Sequence, residues 1–287
     1  MAQPGSRTRS RPDRCPGIVH PWPADDGGLV RIRVPGGQVS TAALRALATV
    51  AGEYGDGRVR LTGRANLQLR AMPLEVGDRL AAPALEALEA TGLLPSRAHD
   101  RVRNVLASPQ TGLAGGRADL RPVVAALDAL LLGDPALAGL PGRFLFTLDD
   151  GRGDLADRHK DLGLVALDAG TAQLRVGPGY GAVVDLRDAA EALAGLARAF
   201  LAVRGDGPEA PWHVDELPAP LVPPVPAEPA GVVHAPALAF GAVPGGEHVA
   251  VGEDGLDAAT IAGWSAPTVV VTPWHGVLVP STSEESR

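Results

Sequence analysis

The sequence predicts an α+β fold in which two copies of a strand–helix–strand unit flank a mixed α/β middle domain. Three observations carry this reading. A run of two-residue alternation from Arg58 to Arg70 follows a helical stretch, and a second run with the same order of elements lies near the C-terminus. Between them, Ala/Leu-rich helical periods interleave with short apolar strands.

The first unit opens with LVRIRV inside 28–34, whose alternation reads as a strand. Pro35-Gly36-Gly37 reads as a turn and Ser40 as a helix N-cap. Leu44, Leu47, Ala48 and Ala51 recur at helical spacing, and Gly55 and Gly57 end the helix. In the segment RVRLTGRANLQLR, an extended strand would place Arg58, Arg60, Thr62, Arg64, Asn66, Gln68 and Arg70 on one surface. Val59, Leu61, Leu67 and Leu69 would then face a core. The run is longer than the usual strand of about five or six residues, so a bend is predicted near Gly63. Guanidiniums interleaved with neutral hydrogen-bonding groups suit a ligand rich in carboxylates or phosphates. The competing reading is a half-exposed edge strand with solvated arginines.

The second copy runs through an apolar stretch at 237–242, Pro244-Gly245-Gly246, a short helical segment after Asp254, and VVVTPWHGVLV at 269–279. There Thr272 stands where the first copy has Thr62. Between the copies, 75–91, 119–132 and 186–203 read as helices, and 143–148, 162–167 and 173–176 as strands. Prolines crowd 205–230 and predict an extended, stiff connector separating the middle domain from the second copy. The predicted organisation is a disordered basic tail at 1–14, the first unit at 15–74, the middle domain at 75–204, the linker at 205–230, the second unit at 231–280 and a polar tail at 281–287.

At 287 residues with 45% hydrophobic content, the chain can build ordinary globular cores. A net charge of −7 argues against a nucleic-acid partner, whose footprint is a basic domain, so any anion site must be local. The basic N-terminus lacks the apolar stretch of a secretory signal, and no run is long and apolar enough for a membrane helix; a cytoplasmic location is expected. Cys15 is the only cysteine, which excludes an internal disulfide and a four-cysteine cluster. The histidines at 20, 99, 159, 213, 234 and 248 show no ligand spacing, so no metal site is predicted from them.

The stretch CPGIVHPWPADDGGLVRIRVPGGQVS, the segment Thr62-x-Arg64-x-Asn66-x-Gln68, the later RVRNVLASPQTG and LPGRF, and VTPWHG together resemble the nitrite/sulfite reductase superfamily, most closely its precorrin-3B synthase branch. The resemblance covers about 15–280. It implies two ferredoxin-like half-domains and an oxidoreductase of cobalamin biosynthesis that hydroxylates precorrin-3A with dioxygen. It also implies a 4Fe-4S cluster and, across the superfamily, siroheme or another iron centre. A uroporphyrinoid is rimmed by carboxylates, so an arginine-lined groove agrees with that expectation.

On this resemblance, Arg64, Arg103 and Arg143 are the foremost tetrapyrrole contacts, with Arg60, Thr62, Asn66, Gln68 and Asn104 beside them; no catalytic residue is assigned. Each has a plainer reading, as a turn, cap or surface residue. Three departures from the family pattern stand out. Leu145 occupies the place of the second of two reductase lysines, which weakens the case for sulfite or nitrite reduction. His275 stands where the branch has an arginine. The cluster cysteines that relatives carry beyond the second repeat are absent, so a separate chain bearing the 4Fe-4S domain is the expected partner. The alternatives are a non-catalytic tetrapyrrole carrier or scaffold, and a sulfite/nitrite reductase-like protein. A generic anion-binding surface is disfavoured by the overall negative charge.

Overall fold

The computed structural model describes residues 13–207 and 209–281. The predicted tails fall mostly outside them, at 1–12 and 282–287. Asp13 and Arg14, assigned to the first tail, are described, and Asp13 is held by side-chain and backbone bonds. The architecture is α+β as predicted.

The first unit comprises β1 (Trp22–Ala24), β2 (Gly27–Ile32), β3 (Gln38–Ser40), α1 (Thr41–Tyr54), β4 (Arg60–Leu61) and β5 (Leu67–Met72). Ser40 caps α1 by accepting from Ala43 N, and the predicted stripe of Leu44, Leu47, Ala48 and Ala51 is buried. Two elements follow that periodicity did not reveal, β6 (Leu74–Glu75) and β7 (Arg79–Leu80), before α2 (Ala82–Ala90). The helix predicted over 75–91 therefore starts late. Gly77 and Asp78 both take positive φ and turn the chain into a hairpin, and α2 begins only where Pro83 fits its first turn.

The middle domain holds β8 (Val105–Ala107), α3 (Arg121–Gly133), β9 (Phe146–Asp149), β10 (Leu162–Ala166), β11 (Thr171–Val176), β12 (Gly179–Asp185) and α4 (Leu186–Arg204). Its sheet runs β12-β11-β10-β9-β8, with β8, β9 and β10 parallel and the rest antiparallel. α3 and α4 pack together over one face, where Phe144, Phe146 and Phe200 interlock with ring centroids 4.9–5.3 Å apart. The Pro-rich segment, expected to be a stiff extended connector, includes short 3-10 turns at Val214–Glu216 and Pro229–Gly231 and packs against the middle domain instead of standing clear of it. It lies along the opposite sheet face: Gln173 donates to Pro226 O at 2.8 Å and accepts from Glu228 N at 2.8 Å, and Val225 N donates to Tyr180 O. A chain short of backbone donors cannot enter a sheet as a central strand, but it can be bonded by side chains from one.

The second unit repeats the first in β13 (Gly241–Val243), β14 (Gly246–Ala250), α5 (Ala258–Ala262), β15 (Thr268–Thr272) and β16 (Gly276–Pro280). The sheet orders β1-β2-β5-β4 and β13-β14-β16-β15 match strand for strand, in agreement with the predicted duplication. The halves also exchange edges. β3, just before α1, pairs with β15, setting Val39 against Val269, while Leu256, just before α5, bonds Val59, just before β4. α1 and α5 pack side by side, and Thr41 Oγ1 donates to Ala266 O. Gly37 makes the close approach possible. It sits at φ 71°, and a Cβ there would collide with the Val271 carbonyl oxygen.

Candidate functional site

The alternation at 58–70 does not form one strand. β4 and β5 are joined by a turn in which Thr62 Oγ1 accepts from Arg64 N at 3.4 Å and from Asn66 N at 3.2 Å, while Ala65 adopts φ 54°. The predicted bend is thus a complete reversal, which lifts Arg64 to the hairpin tip and breaks the even-numbered face. What survives of that face is a cross-strand row. Register places Arg31 of β2 against Gln68 of β5, and Gln68 against Arg60 of β4. Within the row, Arg60 is ion-paired to Asp56 at 2.6 Å. Arg58 and Arg70 are likewise paired, with Asp257 and Asp26.

Asn66 and Asn104, candidate ligand contacts from sequence, are buried and bonded to each other. Asn66 Nδ2 donates to Asn104 Oδ1 at 3.2 Å, and Asn66 Oδ1 accepts from Val34 N at 3.0 Å. Asn104 Nδ2 in turn donates to Arg101 O at 3.1 Å and Gly142 O at 3.0 Å. This brace joins the Arg64 turn to the loop bearing Arg143, and Arg64 Nη1 donates to Arg143 O at 2.9 Å. Arg143 precedes β9 in a turn closed by Phe144 N donating to Pro141 O, so it is exposed and not a strand residue. Its guanidinium lies over Trp212, 5.3 Å from the ring centroid.

Arg103 points elsewhere. It is buried and forms a two-point ion pair with Asp128 of α3, Nε at 2.6 Å and Nη2 at 2.7 Å, because the loop before β8 turns its side chain toward the helix. His275 is exposed at the tip of the β15–β16 turn, where its carbonyl accepts from Val251 N.

Arg64 and Arg143 line one concavity of about 430 Å³ with Arg14 and Arg31, walled by Pro16, Trp22 and Leu29 and with Cys15 at its edge. Sequence reasoning had not singled out Arg14 or Arg31 for the site. The signal for Arg31 is present in LVRIRV, whose alternation puts Arg31 on one face of β2 and Arg33 in line with it just past the strand's end. Arg33 lies beneath, donating to Arg101 O, Pro16 O and, at 3.4 Å, Cys15 Sγ; Arg31 Nη1 reaches Cys15 Sγ at 3.6 Å. Burial pulls the Arg33 guanidinium down to about 10, partly offset by Cys15, and burial also lowers Arg64. The segment carrying Arg14 and Cys15 is pinned where Asp100 accepts from Ile18 N and Val19 N and Asp13 accepts from Gly142 N.

The loop 150–161 contacts the Arg64 turn. Arg158 donates to Gly63 O and Pro273 O, bridging the turns of the two repeats. His159, Asp161 and His213 meet at its end, a convergence that the scattered spacing of the histidines in the sequence does not predict. Burial lowers the His213 imidazole, but its bond to Asp161 and that carboxylate's charge outweigh it, so its pKa stands above the ordinary value.

Deeper in the loop, burial pushes the Asp154 carboxyl up to about 7, with Asp149 and Asp150 adding to the rise against a hydrogen bond from Ser108. The folded state therefore keeps a proton that the unfolded chain releases between roughly pH 4 and 7, and stability falls as pH rises through that window. Asp154→Asn keeps an oxygen for the Ser108 hydroxyl. It is expected to raise the urea midpoint at pH 8 and leave it unchanged near pH 4; an equal effect at both values would contradict the assignment.

The four-cysteine requirement of a 4Fe-4S cluster is not met, since the chain's one cysteine is buried among arginines. Among the described residues, no helix is long and apolar enough to cross a membrane.

The chain thus duplicates a four-stranded sheet, exchanges edges between the two copies and presents a cationic turn. Residues 23–86 match the nitrite/sulfite reductase ferredoxin-like half domain. The chain is 35% identical over 131 residues to the ferredoxin–nitrite reductase of Synechococcus elongatus, a match covering 43% of this chain and 25% of that protein. With the ferredoxin–nitrite reductase of Leptolyngbya laminosa it shares 33% over 124 residues, 40% of this chain and 23% of that one. With the precorrin-3B synthase of Sinorhizobium sp it shares 36% over 77 residues, 27% and 17% respectively. The matches thus span a quarter or less of these relatives. The structure of the Mycobacterium tuberculosis NirA protein superposes with a TM-score of 0.64 at 20% identity, covering 91% of this chain and 57% of that one, a likeness of fold.

Proposed function

We propose that this chain binds a carboxylate-rimmed tetrapyrrole in the arginine-lined concavity, as the macrocycle-binding part of a precorrin-3B synthase-like oxidoreductase acting on precorrin-3A. The observation that carries the reading is the convergence of Arg14, Arg31, Arg64 and Arg143 on one hollow with an apolar wall, in a chain of net charge −7. Guanidinium forks hold peripheral carboxylates, and Trp22, Leu29 and Pro16 offer contact to an apolar ring face. Electrons would come from a cluster held outside residues 1–287, which contain one cysteine where four thiolates are required.

A sulfite/nitrite reductase-like role is the second reading, favoured by the longer matches to nitrite reductases. Leu145 weighs against it: at 3% exposure it is part of the core and supplies no second cation beside Arg143 for a small anion.

Absorption titration with siroheme and with uroporphyrin tests the site. Arg64→Ala and Arg143→Ala are each expected to weaken binding about 10- to 100-fold, the worth of one charge-assisted hydrogen-bonded contact, with little change in stability. Unchanged affinity in both variants would remove the proposal. Oxygen consumption in the presence of a reductant then separates an enzyme from a carrier.

A further inference from the structure

We propose that His159, Asp161 and His213 form a binding site for one divalent transition-metal ion, best matched by zinc, at the Arg143 end of the concavity. This inference stands apart from any ligand in the hollow. His159 and His213 lie 54 residues apart in sequence, yet His159 Nε2 and His213 Nδ1 are 3.2 Å apart. His213 Nδ1 is 3.1 Å from Asp161 Oδ1, and His159 Nε2 is 3.8 Å from Asp161 Oδ2. A tetrahedral ion with bonds of about 2.0–2.1 Å spaces its ligand atoms about 3.3–3.4 Å apart, so one ion fits among all three.

Hydrogen bonding alone satisfies this triangle poorly. If His213 Nδ1 carries a proton, one hydrogen is shared between Asp161 and His159. If it does not, its lone pair faces a carboxylate. A cation accepts all three lone pairs at once.

The supporting structure is that of a built site. Asp161 is wholly buried and aimed by two backbone donors from separate segments, Leu145 N at 2.8 Å and Val214 N at 3.0 Å. His159 is about half exposed, which gives the ion an entry path and leaves a fourth position open to solvent. Two imidazoles and one carboxylate suit zinc and its borderline neighbours better than magnesium or calcium, which prefer all-oxygen shells. The ion would tie the 150–161 loop to the Pro-rich strap through His213. Among the described residues, no other group of three such side chains converges in this way.

The full chain, stripped with a chelator and dialysed, is titrated calorimetrically with zinc chloride in excess magnesium, and separately with cobalt(II) followed by visible absorption. The expected result is one ion per chain and the intense d–d bands of a four-coordinate cobalt centre. His159→Ala and His213→Ala are each expected to lower zinc affinity by at least about 100-fold, the upper end of what losing a supporting partner costs. His20→Ala, an exposed histidine outside the cluster, should leave it unchanged. Zinc should raise the melting temperature of the parent and not of the double variant. Asp161→Asn is not needed, so a folding defect there leaves the test intact. Binding retained by the His159→Ala/His213→Ala double variant, or absent from the parent, overturns the proposal.

Discussion

Replacing Asn104 with alanine is expected to lower the unfolding free energy by about 3 kcal/mol, because three side-chain hydrogen bonds are lost and two of the partners, Asn66 Nδ2 and Gly142 O, are left unpaired, Arg101 O keeping its bond from Arg33. The partners are Asn66 Nδ2, Arg101 O and Gly142 O, and Asn104 itself is 1% exposed. The same brace sets the spacing between the Arg64 turn and the Arg143 loop. Asn104→Ala should therefore also weaken siroheme or uroporphyrin binding roughly tenfold under conditions where the variant remains folded, since a loosened pair of contacts must be ordered on binding. Urea unfolding and the absorption titration on one sample read both effects. A stability loss below about 1 kcal/mol would mean that water replaces the brace.

Arg103→Ala is expected to cost about 3–5 kcal/mol, the range for removing one partner of a buried ion pair, with no change in macrocycle affinity. Arg103 and Asp128 have side-chain exposures of 9% and 19%, and the substitution takes away the carboxylate's two-point partner. The double variant Arg103→Leu/Asp128→Leu should recover much of the loss, because apolar replacements remove both desolvation costs together. Loss of tetrapyrrole binding by a folded Arg103 variant would restore the sequence reading, in which Arg103 was a ligand contact.

The contrast between Arg64 and Arg103 shows where legibility stopped. Both sit in family-like motifs and both are cationic, yet one lines the concavity and the other closes an ion pair on a helix. Nothing within a few residues of Arg103 names Asp128 as its partner; the docking of α3 brings them together. The sequence offers Asn66 and Asn104 as tetrapyrrole contacts, but in the structure they brace one another through a pairing across 38 positions. Arg31 could have been found by extending to LVRIRV the alternation argument applied to 58–70. The reversal at 62–66 was half legible, since excess length implied a bend, but the turn itself depends on Thr62 bonding back to Asn66 and on Val34 bonding across to it.

By itself the sequence determined the α+β class, the buried stripe of α1 and the duplication that the matching sheet orders bear out, although the two Pro-Gly-Gly tripeptides are not equivalent: the first follows β2 and the second turns the β13–β14 hairpin. These follow from backbone sterics and side-chain periodicity, which act over a few residues and are written locally. The tertiary structure alone decided which cations share a hollow, that the Pro-rich segment is a strap, and that two distant histidines meet a buried carboxylate. The physical reason is that such meetings depend on which apolar faces pack and on hydrogen bonds between segments far apart in the chain, and neither leaves a period in the sequence.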